Sequence, residues 1–455
     1  MWDNGTGGTR GKIQEPDGVG QHPRFQIHEP GRALYTARVP PVLNKPEALF
    51  SETVPVPGKS PWDCLLEIQG EIAGRPVVVW ESPEGQAFAG VGAACRIEAS
   101  GPGRFEVVRA RLDSVFDANP RCCPVALGGF SFQEQGASRG WPGFPDALFL
   151  VPERLFSSED GRETHETRFR ASDAIETAAP AIPDLETAAW DRPEWMDAVR
   201  RTLDRIREGS LSKAVLARSI TIPLGRTEGA LEILDTLRDI YPTCTRFLID
   251  DGRGSCFLGA SPERLVSLRS GRFYTEAVAG TQRCEGADEL GAMERALLER
   301  VKDQREHEVV LRHILEALTP MTLGELSIAP AEIMRLPHLL HIRTRMSGGA
   351  RRRNVLDYVE RLHPTPAVAG WPQAEALDWI RRVEPESRGW YAGCVGWVDG
   401  SREGDFAVGI RSIAIRGGQA RVFAGAGIVE GSDPEMEWNE TEIKMRGILD
   451  AIARD

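Results

Sequence analysis

The chain has 455 residues, enough for one large domain or two to three ordinary ones, and its 41% hydrophobic and 27% charged composition suits a globular protein with a sizeable core. A formal net charge of −12 argues against nucleic acid and anionic membranes as partners, and no apolar stretch approaches the ~18 residues of a membrane span. An anionic substrate would need local arginine, lysine, backbone N–H groups or a metal to overcome that field.

In chain order, residues 1–45 are rich in Gly, Pro and polar residues and predict a mobile N-terminal extension. The start lacks the basic and apolar regions of a signal peptide. The eight cysteines (Cys64, Cys95, Cys122, Cys123, Cys244, Cys256, Cys284 and Cys394) contain no Cys-x-x-Cys pair. Scattered thiols of this kind predict a reduced, cytoplasmic protein. From about 45 to 155, short apolar runs alternate with turn signals. Pro76–Trp80 predicts a strand followed by a Glu-Ser-Pro-Glu-Gly turn, and Ala126–Phe132 predicts another containing a glycine pair. The polar, Pro/Ala-rich stretch 157–190 predicts an insertion or linker.

At 191 the pattern changes. Asp191-Arg-Pro193-Glu194 is a helix start, and Met196, Val199, Leu203 and Ile206 follow on one face until Gly209. Lys213–Ile222 is rich in β-branched residues and predicts a strand. A long helix is expected from about 288 to 318, then glycine-punctuated strands, then a final helix from about 433. The pattern is mixed helix and strand with many antiparallel strands.

The final helix opens on Ser432-Asp433-Pro434-Glu435. Glu437, Glu440 and Lys444 follow at offsets of three and four, on one face, while Met445, Ile448, Leu449 and Ile452 form a separate apolar face. By spacing alone this also fits a solvated face with a Glu–Lys pair worth ~0.3–0.5 kcal/mol. The acidic run Lys302-Asp303-Gln-Arg-Glu306-His307-Glu308 has the same two readings. Carboxylates from two distant helices would suit Mg²⁺, which prefers hard oxygen ligands and keeps other positions for water or substrate. Gly425-Ala-Gly427 follows a strand, and its freed N–H groups can cradle an anion, although such a pair is also an ordinary tight turn. Arg411 becomes a bidentate carboxylate clamp if it faces a pocket, and a surface residue otherwise.

Taken together, these segments resemble the chorismate-utilising enzymes, the family of anthranilate, aminodeoxychorismate, salicylate and isochorismate synthases. The matching segments begin with Ser212-Lys-Ala-Val-Leu-Ala-Arg218, Phe257-Leu-Gly-Ala-Ser-Pro-Glu-Arg264, Ala279-Gly-Thr281 and Lys302-Asp-x-x-Glu-His307. They continue through His341-x-x-Thr-x-x-x-Gly348, Leu362-His-Pro-Thr-Pro-Ala-Val-Ala-Gly370, Tyr391-Ala-Gly-Cys-Val-Gly-Trp397 and Ile410-Arg-Ser412. They end with Ala424-Gly-Ala-Gly-Ile-Val429 and Ser432-Asp-Pro-Glu-x-Glu-x-x-Glu-x-x-x-Lys444. Order and spacing match over roughly 191–452.

The resemblance implies an α+β fold of two stacked large antiparallel sheets flanked by helices, in a single domain over 46–455. Within it, 46–190 is the variable part and 191–455 the catalytic core. It implies Mg²⁺ bound directly by Glu306 and Glu440 and through water by Glu437. The ion would hold the ring carboxylate of chorismate, assisted by N–H groups near Gly280, Gly425 and Gly427, with Lys444 among the substrate-binding groups. Tyr391 and Arg411 would hold the enolpyruvyl carboxylate, and Thr281, His341, Ala367 and Val368 would line the pocket.

Three features bear on the reaction. Lys213 resembles the water-activating lysine of isochorismate and salicylate synthases, where anthranilate synthases carry glutamine and use ammonia. Ala279 stands where aminodeoxychorismate synthases often place a nucleophilic lysine. Leu362-His-Pro-Thr-Pro and Ile410-Arg-Ser look like isochorismate synthases, with a salicylate synthase as the alternative. Lys213 would be the base and Glu263 the acid; a lysine serves as base only when neutral and a glutamate as acid only when protonated, both favoured by burial. No organic cofactor and no glutaminase subunit are expected, and a monomer is.

Overall fold

The structure, a computed structural model, describes residues 49–134, 141, 144–171, 189–224, 229–284 and 290–453. The expected extension at 1–45 lies outside the described residues. All described residues fall in one compact unit, Val39–Asp455.

Among the described residues two antiparallel sheets make the frame, one of eleven strands and one of ten. Five strands of the first come from the N-terminal part: Leu49–Val56, Thr164–Ala171, Arg154–Ser158, Ala87–Val91 and Val77–Glu81. Thr245–Asp250, Ser255–Ser261, Ser412–Arg416, Gln419–Val429, Lys213–Pro223 and Gly370–Trp371 complete it in that order. From one edge, the strands of the second run Thr322–Ile328, Leu339–Ala350, Arg272–Arg283, Arg264–Arg269, Gly404–Val408, Cys394–Asp399, Val125–Phe130, Ala147–Val151 and Cys95–Ala99, and Glu332–Leu336 also pairs with Leu339–Ala350. N-terminal and C-terminal segments thus share both sheets.

The sheets stack through a core of large side chains. Phe88 of the first meets Trp397 of the second at 5.1 Å, and Phe257 meets Trp390 at 6.1 Å. Each such fully buried aromatic or aliphatic side chain stabilises by ~1.5–3 kcal/mol. Within the second sheet, Gly128 and Gly129 leave room for the neighbouring strands: a Cβ on the former would come within 1.9 Å of the Leu148 carbonyl oxygen, and on the latter within 2.2 Å of that of Cys394. Helices Pro61–Glu67, Ala230–Ile240 and Pro434–Ile452 cover the outer face of the first sheet with a second apolar cluster that includes Leu234, Leu237, Met445 and Ile448.

The predicted helix start at 191 is a capping box: the Asp191 side chain accepts from the Glu194 N–H, and the Glu194 side chain accepts from the Asp191 N–H. Two expectations are corrected. The long helix of 288–318 is two helices, Leu290–Glu299 and Val301–Leu318, because Arg300 between them is extended at φ −71°, ψ 117°. The stretch 157–190 is not a linker throughout, since Thr164–Ala171 is a strand between two neighbours. Its polar sequence hides this, with Thr164, Glu166 and Phe169 the buried residues of an otherwise hydrophilic run.

Candidate active site

Two of the points at which the chain passes from one sheet to the other lie side by side. Ser261-Pro262-Glu263-Arg264 leads from the strand Ser255–Ser261 to Arg264–Arg269, and Gly409-Ile410-Arg411 leads back from Gly404–Val408 to Ser412–Arg416. Reciprocal backbone bonds lock the crossings together. The Val408 N–H donates to the Glu263 carbonyl at 3.0 Å, and the Ala260 N–H donates to that of Arg411 at 3.0 Å. Glu263 and Arg411 are thereby fixed at the seam, both buried, with Arg411 held at φ 51°. A non-glycine residue there is strained by ~1–2 kcal/mol, a cost that functional sites often carry.

Beside the seam, the strand Arg272–Arg283 bulges between Ala279 and Thr281. Gly280 occupies the bulge at φ 75°, and a Cβ there would meet the Asp303 side chain at 3.0 Å. The bulge therefore lets the helix Val301–Leu318 approach, and that helix delivers Glu306. Across from it, the strand Gln419–Val429 outruns its neighbour Ser412–Arg416, which pairs no further than Val422. On the edge so opened, the Gly425 carbonyl accepts from Lys444 Nζ at 2.9 Å. Since N–H and C=O of one strand residue point to the same edge, the N–H groups of Gly425 and, two residues on, Gly427 face it too.

These elements enclose a cleft of about 760 Å³, part of it open to solvent. Of the sequence-predicted site residues, Glu263, Gly280, Thr281, Glu306, His341, Ala367, Val368, Tyr391, Arg411, Gly425, Gly427, Glu440 and Lys444 line it. Lys213 and Glu437 do not. Lys213 is fully buried behind the lining, its Nζ 3.0 Å from Oε1 of Glu306 without the direction of a hydrogen bond. Glu437 is also buried and pairs with Lys302 at 3.0 Å. Lys444 Nζ pairs with Glu440 at 2.5 Å. Each expected metal ligand thus faces one ammonium. The chain has only six lysines, and three of them stand here, so the pairing is not a generic surface pattern.

The electrostatics assign the groups different states. Burial, then the like charge of Glu276, pushes the Glu263 carboxyl up to about 8, against the opposing pull of Lys213 and Lys444. It is therefore an acid carrying a proton at neutral pH. Burial holds the Tyr391 hydroxyl at about 12, which keeps it a donor; the ring stacks on Phe423 at 5.0 Å. Burial, then Arg411 and Lys444, depresses His341 to about 3, so its imidazole is neutral. Its Nδ1 lies 3.1 Å from the Gly280 carbonyl, which can only accept, so Nδ1 carries the hydrogen and Nε2 is left as an acceptor.

The three carboxylates suit a hard divalent cation in kind. Burial, then the charge of Glu440, raises Glu437 to about 7, a repulsion that a cation among them would relieve. Gly427 leaves the room: a Cβ there would lie 2.5 Å from Glu306 Oε1. Among the described residues no three His, Cys, Asp or Glu side chains are gathered as a ligand set, and each of the three carboxylates has a lysine as its ion-pair partner.

Of the lining residues that the sequence did not single out as site residues, one is charged. Arg388 is buried and donates to the Val368 carbonyl at 2.7 Å and the Val215 carbonyl at 2.6 Å, while pairing with Glu384. Glu384 in turn accepts from the Ala217 N–H at 2.8 Å. The pair ties the Ala367–Val368 wall to the strand carrying Lys213. Its one signal is the i,i+4 spacing of Glu384 and Arg388 just before Tyr391, which reads equally as a surface pair.

A sequence-family model described as chorismate binding enzyme matches residues 37–182 and 163–453. The chain belongs to the chorismate binding enzyme family. It is 34% identical over 412 residues to the salicylate biosynthesis isochorismate synthase of Pseudomonas aeruginosa, covering 83% of this chain and 85% of that protein. It is 33% identical to the isochorismate synthase MenF of Bacillus subtilis over 72% of this chain and 74% of that one. Among solved structures, MenF of Escherichia coli, titled the menaquinone-specific isochorismate synthase, superposes with a TM-score of 0.76. That match has 25% identity and covers 90% of this chain and 96% of the other. The architecture of two antiparallel sheets flanked by helices is therefore that of the chorismate binding enzymes.

Proposed function

We propose that the protein is an isochorismate synthase, an isomerase that adds water at C2 of chorismate while the C4 hydroxyl leaves. The observation that carries this reading is a glutamic acid, protonated at neutral pH, lining a cleft with a fully buried lysine behind the same wall. Isochorismate synthases among its relatives support the same reading.

Lys213, once its ammonium has released a proton, takes one from water as the oxygen bonds to C2. The ring double bonds shift, the C4–O bond breaks, and Glu263 gives its proton to the departing hydroxide. Atoms in and out balance as an isomerisation. Arg411 and Tyr391 hold the enolpyruvyl carboxylate, and the Gly425 and Gly427 N–H groups face the ring carboxylate. The remaining lining of Gly280, Thr281, His341, Ala367 and Val368 orients the ring. Glu306 and Glu440, supported by Glu437, are the residues that would hold Mg²⁺. When bound, the ion would supply the positive charge that these carboxylates draw from Lys213, Lys302 and Lys444, and would bind the ring carboxylate.

The reading extends to a monomeric cytoplasmic enzyme. No helix among the described residues is long and apolar enough to cross a membrane. Its product serves menaquinone, siderophore or salicylate synthesis; of these, menaquinone and salicylate stand in the names of relatives, for those proteins. The test is chromatography of products from chorismate with Mg²⁺ or with excess chelator. Isochorismate approaching a fixed ratio with chorismate, only with Mg²⁺, is the expected result. Accumulating pyruvate and salicylate would assign a salicylate synthase instead, and no turnover in either condition would refute catalysis.

A further inference from the structure

Glu263 is held by an unusual piece of sheet. The strands Arg264–Arg269 and Arg272–Arg283 form a hairpin, but their ladder runs only from Arg269↔Arg272 to Ser267↔Tyr274. Beyond that they splay. On its other side, Arg264–Arg269 shifts register against Gly404–Val408 between Arg264 and Val266. The segment following the acid is therefore loosely laddered on both edges. Two side chains replace the missing backbone bonds. Thr275 Oγ1 donates to the Leu265 carbonyl at 2.6 Å, and the Arg264 N–H donates to Glu276 Oε1 at 2.8 Å. Glu276 thus grips the residue next to Glu263.

Glu276 lies outside the substrate cleft. It lines a second cleft on the far side of the crossover, and Pro262 borders both. Its side chain is 9% exposed, and Arg343 is the ion-pair partner at 3.8 Å. Burial raises its carboxyl, opposed by the Arg264 N–H and by Arg343, Arg264 and Arg345. The charged groups acting on Glu263 itself are Glu276 from Arg272–Arg283, Lys213 from the first sheet and Lys444 from the last helix.

We propose that Glu276 is a positioning residue for Glu263: its carboxylate replaces the missing ladder bond at Arg264 and so fixes the crossover that aims the acid into the cleft. The inference rests on the reading of Glu263 as the proton donor. The bond sets where the acid stands, and the adjacent negative charge favours the acid's neutral form. The two contributions separate by substitution. Glu276→Gln keeps an acceptor for the Arg264 N–H and removes the charge, whereas Glu276→Ala removes both.

The experiment is the pH profile of kcat and KM for chorismate conversion in the wild type, both Glu276 variants and Glu263→Gln. Expected for Glu276→Gln is an alkaline limb displaced to lower pH by about one unit. For Glu276→Ala we expect that displacement together with a fall in kcat of about 10–100-fold at every pH and a KM within about three-fold. A Glu276→Gln limb that coincides with the wild type, or a Glu276→Ala kcat equal to that of Glu276→Gln, overturns the proposal. If Glu263→Gln itself keeps turnover, the acid assignment fails and this inference falls with it; if Glu263→Gln is inactive and the Glu276 variants are unaltered, only the inference fails.

Discussion

Replacing Glu263 by glutamine should remove activity and raise stability at the same time, in a pH-dependent way. The folded protein keeps the Glu263 proton up to about pH 8, whereas an ordinary glutamate releases it near 4.5. Between those values the folded state binds a proton that the unfolded chain has lost. The raised value thus contributes stability below 4.5 that drains away as pH rises toward 8. At ~1.4 kcal/mol per pH unit, the gap between about 8 and 4.5 is worth roughly 4–5 kcal/mol. Glutamine has the same size and never ionises. Its stability relative to the wild type should therefore grow by roughly 3–4 kcal/mol between pH 5 and pH 8. Turnover should fall by about 10²–10⁴-fold, the usual contribution of a positioned acid. Urea denaturation at the two pH values, with product chromatography on the same preparations, measures both. A stability difference that is equal at pH 5 and pH 8, or a kcat unaffected by the substitution, would refute the argument that burial keeps this carboxyl protonated for catalysis.

Gly427→Ala would put a Cβ 2.5 Å from Glu306 Oε1 and 3.2 Å from Lys213 Cε, so two functional groups must move at once. We expect kcat to fall by about 10²-fold and the Mg²⁺ concentration for half-activity to rise, checked by metal titration of activity. An unchanged titration would remove Glu306 from the metal site. Arg411→Gly removes the clamp together with the strain of a side chain at φ 51°. The KM for chorismate should rise by about 10²-fold, while thermal stability should change little, because relief of the strain at φ 51° offsets the lost bond from the Arg411 guanidinium to the Lys444 carbonyl at 3.1 Å. A KM equal to the wild type's would show that another group holds the carboxylate.

The site explains how an acidic chain accommodates an anion. The net charge of −12 is overcome locally: half of the lysines, together with Arg388 and Arg411, stand in or behind one cleft. The same arrangement places every carboxylate of the expected metal site beside a cation. A buried carboxylate without one would be far more costly.

Much of the molecule is legible in the order of residues because local rules suffice. The Asp191 capping box, the β-branched run after Lys213, and Asp433 capping the last helix each depend on a few consecutive side chains, and the structure has the elements they predict. The ordered motifs from Ser212 to Lys444 identify the family, hence the two-sheet architecture and the residues to examine. Tertiary structure decides the rest, because it depends on which distant segments meet. Spacing leaves Glu437 and Glu440 as either a solvated face or a site; the approach of the helix Val301–Leu318 at the Gly280 bulge sets them opposite Lys302 and near Glu306. The proton on Glu263 belongs to no local pattern, since Ser-Pro-Glu-Arg reads as a turn; it follows from two crossovers bolted together and from Glu276 on a splayed strand. Lys213 and Glu437 lie behind the cleft wall because side-chain direction is set by sheet stacking and helix docking, which one-dimensional spacing does not carry. The sequence determined which chemical groups are available; packing in a low-dielectric interior determined which of them are paired, which are protonated and which face the substrate.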